Sequence, residues 1–451
     1  MKVVVVGAGK VGETICQELY ENTDIVLIDT NPRVIDNIFS MYDIQAVVGN
    51  GANVNVQNEA MVGESDIFLA VTNSDELNIV SCIIAKKLGA KYTIARVRNP
   101  EYHESVDFIM SSLGITGLIN PEEESAAVLS EILKYPNALS IESFANGKVN
   151  MVEVAIDEDN YLVDMTLKDF SSSFDGKLLV CIIERHDEVI IPTGDTVINS
   201  GDNIHVTGSM EDLHKFYNSL GKIDSQIKST MIIGGGKLTY YLITKLLKRG
   251  MDIKLIEVNM DRALEFANDF PEIIVINADG TDQEVLEEEG ISEYDSCIAL
   301  TGIDEENIMI SLFAKYMNVK KCVAKVNRTS ILKLLPQVGL DTIITPKRII
   351  ADKIVRFARS RLAAGESEME RLYKLADRKV EAMEFTAKEN SEVIGIPLMD
   401  LNIKENTLVT IIHRNGDLIF PGGRDSVNVG DRVAIVTTQE NIVTLDDIIK
   451  K

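Results

Sequence analysis

No run of 18 apolar residues occurs anywhere in this 451-residue chain, although 45% of it is hydrophobic, so no segment is long enough to cross a bilayer as a helix. A signal peptide is missing too. Met1-Lys2 leads directly into Val3-Val4-Val5-Val6, and a soluble, intracellular chain is expected. Basic residues are scarce: 45 Lys and Arg against 70 Asp and Glu give a formal net charge of −25. That balance argues against nucleic acid, whose phosphates need a basic footprint, and against adsorption on anionic lipid. Any membrane association is expected to run through a protein partner, without direct insertion. The five cysteines (Cys16, Cys82, Cys181, Cys297, Cys322) show no metal-ligand spacing, and buried reduced thiols are expected. The five histidines (His103, His186, His205, His214, His413) show no local pairing with a carboxylate or cysteine. Neither a catalytic residue nor a metal site is expected from them.

What the chain does contain is written twice. Gly7-Ala8-Gly9-Lys10-Val11-Gly12 is answered by Gly234-Gly235-Gly236-Lys237-Leu238-Thr239. Thr72 and Thr301, Pro192 and Pro421, and Gly201 and Gly430 each stand 229 apart, while Asn120-Pro121 and Thr345-Pro346 stand 225 apart. A period this long marks a duplicated module and not a solenoid. Length alone suggests about three domains, but duplication favours an even number.

Each copy begins with buried-strand runs alternating with helical spacing. Lys2–Val6, Asp24–Asp29, residues 46–48, residues 67–71 and Tyr92–Arg96 read as strands, which is the pattern of a doubly wound parallel sheet. After Pro121 the texture changes to a helix over 125–134, then short strands of alternating polarity with turns at Pro192-Thr193-Gly194 and Ser200-Gly201-Asp202. The fold class expected is α/β: a tandem duplication of a Rossmann-like parallel-sheet domain, each followed by a small α+β domain. The boundaries read as 1–137, 138–222, 229–376 and 377–451, with helices ending the first and third parts (125–134 and about 346–376) and a hinge at residues 222–229.

The glycine turns carry the chemistry. Gly7 permits the tight turn, Gly9 lets backbone amides approach a pyrophosphate, and Gly12 allows the helix to pack closely, while the helix N-terminus faces the phosphates. Asp29 ends the second strand, where it would accept bonds from adenosine ribose hydroxyls and repel a 2′-phosphate; the alternative is a solvated strand-end carboxylate. In the second copy Gly234, Gly235 and Gly236 keep the approach, with Lys237 and Leu238 opening the helix, but Thr239 replaces the third glycine and should hold the helix slightly further out. Glu257 can take the role of Asp29. Further candidates sit at carboxyl ends of strands: Asn50 and Asp279 near an adenine, Thr72-Asn73 and Thr301-Gly302, and Arg96 and Lys325. The Asn73–Glu76 spacing also fits a simple capping box, and Arg96 and Lys325 read either as phosphate partners or as plain surface cations. A dehydrogenase would continue into a substrate domain bearing an acid or base; this chain continues into a small module and starts again.

The Gly7–Gly12 turn, Asp29, the Thr72-Asn73-Ser74-Asp75-Glu76-Leu77-Asn78 stretch, Arg96 and the Pro192…Gly201-Asp202 module resemble the RCK (KTN) regulatory domains of potassium channels and transporters. The tandem layout is similar to the cytosolic regulatory subunits of Trk potassium uptake over essentially the whole length. The resemblance implies a protein that binds NAD or NADH, assembles as a homo-oligomeric ring on the cytoplasmic face of a TrkH-like membrane potassium-translocating subunit, and gates it. Family members also respond to ATP or ADP. This chain departs at Asn50, where many relatives carry aspartate, and at Thr239. Two other readings stay open: an NAD-dependent oxidoreductase, and a soluble nucleotide sensor with no membrane partner.

Corresponding helices also differ in charge. Glu122, Glu123 and Glu131 of the first copy answer to Lys347, Arg348 and Arg356 of the second, which predicts that the copies associate through this complementarity as a built-in pseudo-dimer. Pro121 and Pro346 are expected as points of transmission.

Overall fold

The structure, a computed structural model, describes residues 1–20, 23–99, 102, 106–134, 141–144, 149–186, 188–220, 227–328, 335, 340, 342–362, 369–376, 379–439 and 442–450; for some of these only the backbone is described. Most of the expected hinge (222–226) and His103 lie outside them. Two compact units form: Met1–Ser130 with Ile227–Val355, and Glu131–Gln226 with Arg356–Lys451.

In the first unit, strands β1 (Lys2–Val6), β2 (Asp24–Asp29), β3 (Gln45–Val48), β4 (Ile67–Ala70), β5 (Tyr92–Arg96) and β6 (Gly117–Ile119) build one parallel sheet in the order β3-β2-β1-β4-β5-β6. The order reverses between β1 and β4, and a ligand crevice opens at such a switch point. Val3, Val4, Val5 and Phe68 have no exposure, because helices cover both faces, and burying a side chain of this kind contributes about 1.5–3 kcal/mol. The helix Asp75–Leu88 starts at a Ser74 cap and stops where Gly89 turns left-handed (φ +118°). The second copy repeats the order with Ile274–Asn277, Asp252–Glu257, Ser229–Ile233, Ser296–Ala299, Lys321–Lys325 and Ile343–Ile344.

In the second unit each copy contributes a five-stranded, largely antiparallel sheet. In the first of them β7 (Ile141–Phe144), β8 (Val149–Ala155), β9 (Leu178–Arg185), β10 (Glu188–Ile190) and β11 (Asn203–Gly208) run in the order β10-β9-β11-β8-β7. One face packs on Phe170 and Phe216 from the helices Leu167–Ser173 and Met210–Ser219. The opposite face supplies Met151, Cys181 and Ile182 to a core shared with Ala382, Ile411 and Val436 of the second small sheet. The pairing of Arg185 with buried Asp202 recurs as Arg414 with Asp431, each a two-pronged guanidinium–carboxylate contact with closest distances of 2.7 Å.

Two helix expectations change. The first runs Pro121–Ile132, because Asn120 accepts the amides of Glu122 and Glu123 (both 3.1 Å) and Pro121 suits the first helical position. The second runs Pro346–Leu362 and not to about 376: Met369–Leu375 is a strand paired with Val380–Thr386.

Candidate functional site

The first glycine turn follows from three backbone demands. Gly7 adopts φ +105°, where a Cβ would also lie 3.0 Å from the amide nitrogen of Thr72. Gly12 tolerates no Cβ either: the atom would fall 1.9 Å from the Gly7 carbonyl oxygen. Gly9 meets nothing within 4 Å, and as the residue before the helix Lys10–Leu19 it offers no side chain to cap it. The helix start therefore has no side-chain cap and a clear space beside Gly9, which suits an anion. The tight turn at Gly7 and the close packing at Gly12 are as expected, and Gly9 leaves space on the side where a pyrophosphate is expected.

Around that opening stand the other candidates. Asp29 holds the turn itself, its Oδ2 accepting from Ala8 N (2.7 Å) and its Oδ1 from Asn31 N (2.8 Å). Asn50 is exposed and closes its own turn by accepting from Ala52 N at 2.8 Å. Thr72 is tied by buried Asn78, which accepts from the Thr72 amide (2.9 Å) and hydroxyl (2.7 Å) and donates to the carbonyls of Thr72 and Arg96. Asn78 thus locks the ends of β4 and β5 together, a role that its place in the Thr72–Asn78 stretch alone does not show. Asn73 is not a cap. Ser74 is, accepting from Leu77 N at 3.1 Å, while the Asn73 carbonyl accepts from Arg98 (2.6 Å). Arg96 is not a surface cation: it is 8% exposed, its Nε has no hydrogen-bond partner, and burial, then neighbouring Arg98, depress its guanidinium below its ordinary value.

The second turn is built alike with altered parts. Gly234 takes φ +101°, and the Thr239 hydroxyl donates to its carbonyl (2.5 Å), filling the region that Gly12 leaves clear. Gly236 is as open as Gly9. Glu257 is only 6% exposed, and both its oxygens are engaged, by the amides of Gly235 and Asn259. Asp279 accepts from the amide (2.9 Å) and hydroxyl (2.7 Å) of Thr281, and these bonds hold its carboxyl below its usual range. Asn307 ties Thr301 to Lys325 as Asn78 ties Thr72 to Arg96. Gly302 meets nothing around its Cβ position, and Ile303, without a capping side chain, precedes the helix Asp304–Tyr316. Burial lowers the Lys325 ammonium, which donates to the Leu300 carbonyl at 3.0 Å.

Within the first unit charges of the two copies face each other, each as a minor contributor beside local hydrogen bonds. Lys10 acts on Asp304 of the other copy, and Lys237 acts on Glu76. Tyr241 donates to the Arg98 carbonyl (3.0 Å), and Arg249 donates to the Ser130 carbonyl (2.5 Å). One ion pair between the two helices joins Lys353 with Glu124. Glu131 instead pairs with Lys134 of its own helix, and the Arg356 side chain lies outside the described residues.

Cys16, Cys82, Cys181 and Cys297 are buried free thiols, and burial, with Glu13 nearby, pushes Cys16 up to about 12. His205 does meet a carboxylate, Glu184, at 2.7 Å across neighbouring strands. Among the described residues no helix is long and apolar enough to cross a membrane.

Comparison with known proteins agrees with this architecture. The family model described as the TrkA-N domain matches residues 3–121 and 230–346, and that described as the TrkA-C domain matches residues 151–221 and 382–450. A Trk system potassium uptake protein TrkA homolog of Methanosarcina mazei is 33% identical over 461 residues, covering 100% of both chains. The Trk system potassium uptake protein TrkA of Vibrio alginolyticus is 29% identical, covering 98% of this chain and 97% of that one. The solved structure described as the GsuK channel bound to NAD superimposes with a TM-score of 0.63 at 15% identity, over 97% of this chain and 77% of that one.

Proposed function

The chain belongs to the TrkA family, and from that premise we propose that it is a nucleotide-binding regulatory subunit of potassium uptake, without chemistry of its own. Its four parts, 1–137, 138–222, 229–376 and 377–451, serve as two sensor domains and two assembly domains. The observation that carries this reading is the pair of helix starts behind Gly9 and Gly236, each without a side-chain cap and with clear space at the glycine.

The ligand is NAD or NADH, with ATP and ADP competing for the same adenosine positions. At the first site Gly7, Ala8, Gly9, Lys10, Val11 and Gly12 cradle the diphosphate and Asp29 meets the ribose. Asn50 flanks the adenine, with Thr72, Asn73 and Arg96 on the far side. At the second, Gly234, Gly235, Gly236, Lys237, Leu238, Glu257, Asp279, Thr301, Gly302 and Lys325 take the matching places. Asp29 and Glu257 each hold two backbone amides, but Glu257 is only 6% exposed whereas Asp29 is half-buried, so a ribose reaches the second carboxylate less easily and the second site binds more weakly. A nucleotide that favours one arrangement of the facing sheet domains shifts that equilibrium by about 1–3 kcal/mol per site, and a ring of such chains passes the bias to a membrane potassium-translocating subunit at the cytoplasmic face. The names of the relatives, which place them in Trk-system potassium uptake, support that assignment.

Calorimetric titration of the full chain with NAD, NADH, ATP and ADP tests this, alongside Asp29→Ala and Glu257→Ala. Binding that survives both substitutions unchanged, or no binding at all, overturns it.

A further inference from the structure

Three potential ligands converge on one face of the first small sheet. His205 on β11 sits opposite Glu153 on β8, and Glu184 on β9 lies two pairs along, on the same face, opposite Asn203. One ligand atom from each of Glu153, Glu184 and His205 lies within 4.8 Å of the other two. His205 Nε2 and Glu184 Oε1 are 2.7 Å apart, and Asn203 Nδ2 donates to Glu153 Oε1 at 3.2 Å. The imidazole is buried, and alternation along the strands puts all three side chains on the face that carries Met151 and Ile182 into the core shared by the two small sheets.

From this convergence we propose that Glu153, Glu184 and His205 form a binding site for one divalent transition-metal ion, of which Zn2+ is the best fit, in the first small domain. The site is separate from the nucleotide cradles and independent of their occupancy. One imidazole and two carboxylates are a donor set that zinc accepts, with metal–nitrogen distances of about 2.0–2.1 Å and metal–oxygen distances of about 2.0–2.2 Å. Seating an ion where His205 and Glu184 now share a hydrogen opens that pair by roughly 0.7 Å to a tetrahedral edge. Two positive charges then meet two carboxylates at the rim of an apolar core, where unshielded charge is costly. Calcium, which takes about 6–8 oxygen ligands, and magnesium, which holds several waters, fit this set poorly. Asn203 fixes the Glu153 carboxylate, as groups behind a metal ligand do.

The duplication supplies an internal control. In the second small sheet Glu384 faces Ala434 across the strand pair, as Glu153 faces His205, and His413 stands opposite Arg432, as Glu184 stands opposite Asn203. With alanine in the histidine place and arginine in the asparagine place, that set is not matched, so one ion per chain is expected.

Full-length protein stripped with a chelator is titrated with Co2+ and then Zn2+, in the absence of nucleotide. The expected result is one Co2+ per chain with visible ligand-field absorption, displaced by Zn2+ and not by Ca2+. His205→Ala and Glu184→Gln abolish the absorption, Asn203→Ala weakens binding by about 10- to 100-fold, and His413→Ala leaves it unchanged. No ligand-field absorption in the unaltered chain, or absorption that survives in folded His205→Ala, overturns the proposal. If a substitution prevents folding, the titration of the unaltered chain decides by itself. Nucleotide binding is read separately, so either outcome leaves the reading of the cradles standing or falling on its own.

Discussion

The carbonyl oxygen of Gly7 lies 1.9 Å from the point that a Cβ of Gly12 would occupy. Backbone cannot yield there as a flexible side chain would, so the first turn in its present geometry requires glycine at position 12. Gly12→Ala is expected to displace the helix start, weaken NAD binding at the first site by at least about tenfold and destabilise the sheet unit by about 1–3 kcal/mol. Gly9→Ala separates the two effects: its Cβ meets nothing within 4 Å, so the thermal midpoint should hold while NAD affinity falls. Calorimetry and thermal melts of both variants check this, and an unaltered affinity in Gly12→Ala contradicts it.

Asn78 and Asn307 are fully buried and bridge two strand ends each. Truncating either leaves backbone groups without partners inside the fold. Asn78→Ala and Asn307→Ala are each expected to cost about 2–3 kcal/mol in urea unfolding. Asn78→Asp keeps the acceptor but sets a carboxylate oxygen against the Thr72 and Arg96 carbonyls in a fully buried place, and should cost at least as much as alanine at pH 7.

Sequence reading reaches the sheet domains more easily than the sites between strands. The apolar runs Lys2–Val6 and Asp24–Asp29 are buried on both faces and so advertise themselves, and the fixed repeat spacing exposes the duplication. Three-residue β6 and two-residue Ile343–Ile344 are too short for any period to show. The strand Met369–Leu375 follows a long helix whose charged pattern gives no end signal. At the cradle, the glycine roles were legible because each is a local backbone demand. The burial of Arg96 was not, since it depends on which strands and helices surround β5. Nor was the meeting of His205 with Glu184, which are 21 residues apart and joined only by strand register.

Lys353 and Glu124 lie 229 residues apart and pair between the copies, with side chains 41% and 34% exposed. A pair so open to solvent is worth little, about 0.2–1 kcal/mol. Lys353→Glu and Glu124→Lys should therefore each destabilise the sheet unit modestly, with the double swap recovering most of the loss and the recovery shrinking at high salt. A double variant no better than the sum of the single ones would remove this pair from the association of the copies.

Asp304 begins the helix Asp304–Tyr316 at 7% exposure. Burial alone would raise its carboxyl, but the amides of Asn327 and Arg328, at 2.9 and 2.8 Å, the Asn327 side chain and Lys10 from the other copy together bring it below its ordinary value of 3.8. Because the folded value lies below the unfolded one, the unfolded chain binds more protons between them, and stability rises with pH across that window. The contribution of Asp304 is thus fully present above about pH 3.8 and is lost as pH falls through the folded value. Asp304→Asn has no proton to gain and keeps only one acceptor oxygen for two amides. It should be less stable by about 1–3 kcal/mol at pH 7, and the gap from the unaltered chain should narrow as pH drops below 3.8. Asp66, Asp279, Asp295 and Asp447 are also lowered and titrate in the same region, but they are common to both proteins and cancel in the difference. Urea midpoints measured in parallel from pH 7 down to the acid limit of folding read that difference, and a gap that stays constant throughout would show that the Asp304 charge does not hold these two strand-end amides.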